Sequence, residues 1–135
     1  MRNSTPNTLE DALSLGDHHS FAVADAVAFG VPEAIVLKTL RHWIRVNRAN
    51  GVNVIDGKTW TWNTTAAWAS SFPYWSESQV YRLLTKLRKS GVLLVDHHAK
   101  DGRDRTCWYT FSDGYLAWWS GNCDSASPVP FATAA

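Results

Sequence analysis

The chain has 135 residues, 45% of them hydrophobic and 19% charged, a globular composition sized for one domain rather than a disordered or two-domain one. No apolar run approaches the roughly 20 residues that span a bilayer, and the N-terminal stretch lacks an apolar core for a secretion signal. The formal charge of +1 hides an asymmetry: residues 1–33 carry Arg2 against five acids, whereas residues 38–105 carry twelve Lys or Arg against five. Such a split points to a polyanionic partner.

Thr8 can cap a short helix over Thr8–Leu15, with Glu10 and Asp11 in its acid-favouring first turn. Ala24–Phe29 reads as a second, stopped by Gly30. Pro32 suits a first helical turn, and Val36, Leu40, Trp43 and Ile44 continue at helical spacing until Gly51. Lys38, Arg41, Arg45 and Arg48 fall on another face of that helix, a stripe that can lie along a phosphate backbone or simply be solvated.

VNVIDGKTWTW then gives two β-prone runs around Asp56-Gly57, a favoured hairpin turn. Asn63 or Thr64 caps a short helix through Ala66–Ala69, and Phe72-Pro73 breaks it. Ser76-Glu77-Ser78-Gln79 has the Ser-x-x-Gln form of a capping box and opens a helix that runs to Ser90, where Gly91 stops it. Val92–Val95 and Thr106–Phe111 are strands around a polar loop, DHHAKDGRDR. Ser112 caps a last short helix containing Tyr115, Trp118 and Trp119, and Gly121–Ala135 reads as a flexible tail.

The order helix, turn, capped helix, strand, basic loop, strand across residues 64–111 is that of a winged helix-turn-helix, so the expected fold class is α+β, mainly α with small β-hairpins. The expected organisation is an N-terminal arm over 1–19, the winged-helix domain over 20–119 and the tail over 120–135. On a helical wheel Val80, Leu83, Leu84 and Leu87 share one arc, which must face the core. Nearly opposite lie Ser78, Arg82, Thr85 and Lys89, flanked by Tyr81 and Lys86, all of them types that hydrogen-bond base edges or phosphates. The loop adds Lys100, Arg103 and Arg105, offset by Asp101 and Asp104. Together these nine residues form the expected DNA-binding set, with helix 76–90 in a major groove and the wing on phosphates. The opposing reading is a charged but merely solvated face on a module that binds protein.

Ala34–Ile44 (AIVLKTLRHWI), the Trp60/Trp62 strand followed by Trp68, FPYWSES over Phe72–Ser78, Gly91-Val92-Leu93, and Arg105–Tyr109 (RTCWY) occur here in that order. In this order they resemble the winged-helix domain at the N-terminus of many phage, prophage and plasmid replication proteins, of the replisome-organiser or replication-initiator type, over roughly residues 20–111. The resemblance implies binding of origin DNA or docking of replication partners, with the segment beginning Ser76-Glu77-Ser78 as recognition helix. Members often continue into a second domain for helicase loading or catalysis. This chain ends after one short helix and a tail, which favours a stand-alone regulator, adaptor or inhibitor, including an anti-CRISPR-like one that docks a host replication, transcription or defence complex.

Catalytic and cofactor motifs are not expected. Gly57-Lys58-Thr59 lacks the earlier glycine of a phosphate loop and falls in a hairpin. The pairs His18-His19 and His97-His98 have no partner at metal-ligand spacing, and adjacent strand residues point to opposite faces. Cys107 and Cys123 show no base partner and suit a reduced, cytoplasmic protein. Trp43, Trp60, Trp62, Trp68, Trp75 and Trp108 are expected in core or hinge packing. Adjacent Trp118 and Trp119 cannot both be fully buried by one short helix, so a homodimer is expected through the terminal helices bearing Leu9, Leu13, Trp118 and Trp119. The expected partners are thus double-stranded DNA, a host protein complex and a second copy, with no membrane, metal or cofactor.

Overall fold

The computed structural model describes residues 8–99, 103 and 105–124. It is an α+β protein whose elements run α1 (Thr8–Leu13), α2 (Val23–Phe29), α3 (Val31–Asn50), β1 (Val54–Ile55), β2 (Lys58–Thr59), β3 (Thr61–Trp62), α4 (Thr65–Ser70), α5 (Glu77–Lys89), β4 (Leu93–Asp96), β5 (Trp108–Phe111) and α6 (Asp113–Asn122). No helix among the described residues is long and apolar enough to cross a membrane.

The local signals in the sequence place these elements closely. Asp56 and Gly57 take φ of 51° and 80°, both positive, which fits the turn joining antiparallel β1 and β2. Thr64 Oγ1 accepts from the Ala67 N–H at 3.1 Å and caps α4. The capping box of α5 is complete: Ser76 Oγ accepts from the Gln79 N–H at 3.2 Å, and the Ser76 N–H donates to Gln79 Oε1 at 2.8 Å. Helix α6 continues to Asn122, three residues beyond the boundary expected at 119, while residues 125–135 of the expected tail lie outside the described residues.

The run after Asp56-Gly57 differs from a simple hairpin. It divides at Trp60, and only Lys58–Thr59 pairs with β1. Thr61 and Trp62 instead pair with Tyr109 and Trp108, so a second sheet forms in the order β3-β5-β4, all antiparallel. Asn47 of α3 holds the dividing point by donating from Nδ2 to the Trp60 carbonyl at 2.8 Å.

The core lies between α3, α4, α5 and the inner face of that sheet. Val36, Leu37 and Leu40 of α3, Trp68 and Phe72, Val80, Leu84 and Leu87 of α5, and Val92, Leu93, Tyr109 and Phe111 are all buried in one cluster. Leu83 sits at its edge, partly buried. At this burial each large apolar side chain contributes about 1.5–3 kcal/mol relative to exposure.

A polar triangle joins α2, α3 and α6 beside this core. Asp25 is fully buried, yet its Oδ1 accepts from the Tyr115 hydroxyl at 2.6 Å and its Oδ2 from Arg41 Nη2 at 3.1 Å. Arg41 also donates to the Tyr115 oxygen at 2.5 Å, and its guanidinium carbon lies 4.0 Å from the centre of the Trp119 ring. Trp118 is buried at 4% exposure and Trp119 is half-buried over Arg41. Trp118 is therefore a core residue and unavailable to the dimer seam expected from sequence, whereas Leu9 and Leu13 are 67% and 72% exposed.

Two predictions follow from this packing. Leu84→Ala removes a buried part of the α5 stripe and lowers unfolding free energy in urea by about 2–5 kcal/mol. Burial pushes the Asp25 carboxyl above its ordinary value, against the opposing hydrogen bond from Tyr115 and the charge of Arg41. Folding therefore favours protonated Asp25, a contribution fully present below the unfolded value of 3.8 and lost as pH rises through the native one. The stability of the wild type relative to Asp25→Asn should rise as pH falls from about 7 toward about 4. A fall over that range contradicts it.

Candidate nucleic-acid interface

Because Val80, Leu84 and Leu87 are held inward, the opposite side of α5 must face outward. Ser78, Tyr81 and Arg82 are exposed there, Tyr81 at 54%. With Glu77 of α5 and Thr65 from the first turn of α4 they surround an open groove of about 660 Å³. The two capped helix starts thus present hydroxyls, a phenol and a guanidinium to one space, against one carboxylate. Thr65 joins this set through the turn between α4 and α5, a proximity that no wheel drawn on α5 alone reveals.

Further along α5, Lys89 and Arg88 are exposed and Thr85 is half-buried. Arg88 lies near the Tyr109 phenol, whose pKa is raised chiefly by burial and further by its contact with Cys107. Lys86 has a prior engagement: its Nζ contacts Glu33 Oε2 at 2.5 Å, and the Glu33 side chain is 7% exposed against 61% for Lys86. Glu33 folds back over the start of α3, where a Cβ at Gly30 would meet its Oε1 at 2.5 Å, and Gly30 also has φ of 109°. The third position of a helix is where a glutamate reaches back toward the cap, so the Gly30-Val31-Pro32-Glu33 spacing carried a signal for this fold-back. Its pairing with Lys86 across 53 residues did not.

The β4–β5 hairpin brings a second set of cations. Arg103 and Arg105 are exposed, and Lys100 lies outside the described residues. The hairpin base is ordered by the His97 N–H donating to Asp96 Oδ1 at 2.7 Å, and by His97 Nδ1 lying 3.2 Å from the Thr106 carbonyl oxygen. His98 lies edge-on to Trp60 and Trp108, with ring centres 4.5 and 5.6 Å away.

The tryptophans divide into two groups. Trp60, Trp68 and Trp118 are buried, and Trp75 and Trp108 are partly so. Trp43 and Trp62 are 42% and 45% exposed and lie outside the core, one of the two packing roles, core or hinge, expected for them. Trp62 stacks on its cross-strand partner Trp108 at the outer face of a two-residue strand too short to be covered. Trp43 lies on the flank of the Val36/Leu37/Leu40 row, beyond its buried part. The basic stripe of α3 is also divided, since Arg41 turns inward to Asp25 while Lys38, Arg45 and Arg48 form no ion pair among the described residues.

Among the described residues no group of three or more His, Cys, Asp or Glu is placed to hold a metal ion. Neither a family model, a curated protein nor a solved structure matches the chain.

The Lys86–Glu33 pair ties α5 to the first turn of α3. Lys86→Ala leaves the Glu33 carboxylate buried without its cation and lowers stability by about 1–3 kcal/mol. Urea unfolding measures the loss; unchanged stability contradicts the pairing with Glu33.

Proposed function

We propose that this chain is a winged helix-turn-helix protein that binds double-stranded DNA, with α5 as the recognition helix in the major groove and the β4–β5 hairpin as a wing on phosphates. Support for the fold comes from the order α3-β3-α4-α5-β4-β5 together with the sheet order β3-β5-β4, which sets the hairpin beside the helix pair. The observation that carries the function is the outward face at the start of α5, where Ser78, Tyr81 and Arg82 stand around an open groove and none of them belongs to the core. A helix of this diameter fits the major groove, and residues near its N-terminus are the ones that reach base edges.

In this reading Arg82 reads a base, with Ser78, Tyr81 and Thr85 beside it. Lys89, Arg103, Arg105 and Lys100 hold phosphates, and no catalytic step, metal or cofactor is assigned. In this reading, in keeping with the resemblance in sequence, the protein acts in replication, or its regulation, of a phage or other mobile element inside the cytoplasm. A second reading, an adaptor or inhibitor that docks a host protein complex, is favoured by one observation. Helix α1 buries no residue, and Leu9, Leu13 and Leu15 are each more than 65% exposed.

Substitution at Arg82 tests the proposal. Arg82→Ala should weaken binding of the preferred duplex by about 1–3 kcal/mol and relax base preference at one position. Stability should change by no more than about 0.5 kcal/mol, since the side chain is exposed. Selection from a randomised duplex library before and after the change reads both effects. Unchanged affinity and preference would remove α5 from the interface.

A further inference from the structure

On the outer side of α3, away from its buried Val36/Leu37/Leu40 row, the segment over residues 18–22 crosses the helix and lines two adjoining cavities of about 290 and 300 Å³. The segment is tied down at two points: Lys38 Nζ donates to Ser20 Oγ, and His19 Nδ1 hydrogen-bonds the Tyr74 hydroxyl. Both cavities share Ser20, Lys38 and His42, and no carboxylate lines either one. Arg41 borders the first cavity, but its guanidinium is committed to Asp25 and Tyr115. Lys38 and Arg45 have no acid partner among the described residues, and the Lys38 ammonium keeps donors beyond the one given to Ser20.

Lys38, His42 and Arg45 recur at helical spacing, so they form one row about 10 Å long on the helix axis. Beside that row, at the mouth of the second cavity, Trp43 is 42% exposed with its ring edge-on to His42 at 5.1 Å. An acid-free cleft lined with unpaired cations selects a polyanion, and an exposed indole at its rim adds an apolar, π-faced surface that a free phosphate cannot use. Cations tracking a backbone beside an aromatic ring are the chemistry of single-stranded nucleic acid binding, because a duplex keeps its base faces stacked away from such a ring.

We infer that the cleft between residues 18–22 and the outer face of α3 binds single-stranded nucleic acid, with Lys38 and Arg45 on successive phosphates and a base stacked on Trp43. This site is separate from the α5 groove and does not depend on that groove binding duplex.

The test uses the full chain and a fluorescein-labelled oligothymidylate about ten nucleotides long, within the usual footprint of single-strand binders. Anisotropy is recorded over a salt series, with a labelled duplex run in parallel. Trp43→Ala should weaken oligothymidylate binding about tenfold or more. Joint replacement of Lys38 and Arg45 by Ala should lower the slope of log affinity against log salt by about 1.4, at about 0.7 per lost phosphate contact. Duplex affinity should be unchanged in both variants, and Arg82→Ala should spare the single strand. The proposal is overturned if the single strand ignores these α3 substitutions, or if Arg82→Ala abolishes its binding. It is likewise overturned if inorganic phosphate displaces the oligonucleotide while Trp43→Ala has no effect, since the cleft would then hold phosphate alone. Loss of duplex binding on Arg82→Ala has no bearing on these outcomes, so the two sites fail separately.

Discussion

The burial of Val80, Leu84 and Leu87 against α3 and the β4–β5 sheet is the constraint on which the rest of the molecule depends. The three side chains lie on one arc of a 13-residue helix, so their burial leaves α5 no rotational freedom about its axis. Once that rotation is fixed, Ser78, Tyr81 and Arg82 can only face outward, and Lys86 is brought to the start of α3. The capping box at Ser76 fixes where the helix begins, and therefore which residues occupy its first exposed turn. Sequence thus acts on function through packing: three apolar residues determine the aim of three polar ones.

Of the charge–charge contacts among the described residues, two tie α3 to its neighbours, and each engages a cation of the basic faces expected from the sequence. Arg41 is held by Asp25, Tyr115 and the face of Trp119, which locks α2 and α6 onto α3. Lys86 covers the Glu33 carboxylate and links α5 to the first turn of α3. Removing one member of such a pair leaves a desolvated charge behind, so these residues are retained by the cost of their absence as much as by the strength of the contact. Arg82 and Lys89 lie on the outward side of α5, and Lys38 and Arg45 on the outer side of α3.

The features legible in the sequence were those set by short-range physics. Asp56-Gly57, the caps at Thr64, Ser76 and Ser112, and the Val80/Leu84/Leu87 spacing each act within a few residues, and each appears where the spacing put it. The features that escaped depend on contacts across long stretches of chain. Arg41 meets Tyr115 across 74 residues and Lys86 meets Glu33 across 53, and neither partner carries a local mark of the other. Trp62 leaves its hairpin to pair with Trp108 because β5 offers an unpaired edge, a fact about the assembled sheet. Periodicity likewise placed Trp43 with the apolar row, although it lies on the flank of that row, where the segment over residues 18–20 leaves it open.

The claim that the outward face of α5 is the working surface is tested most directly by titrating isotopically labelled protein with duplex DNA and following backbone amide resonances. The account predicts shifts concentrated at Ser76–Thr85, Thr65 and the β4–β5 hairpin, with the outer face of α3 undisturbed by duplex. Shifts that leave Ser78, Tyr81 and Arg82 unmoved at saturation, or that cluster on α1 and α2 instead, would contradict it.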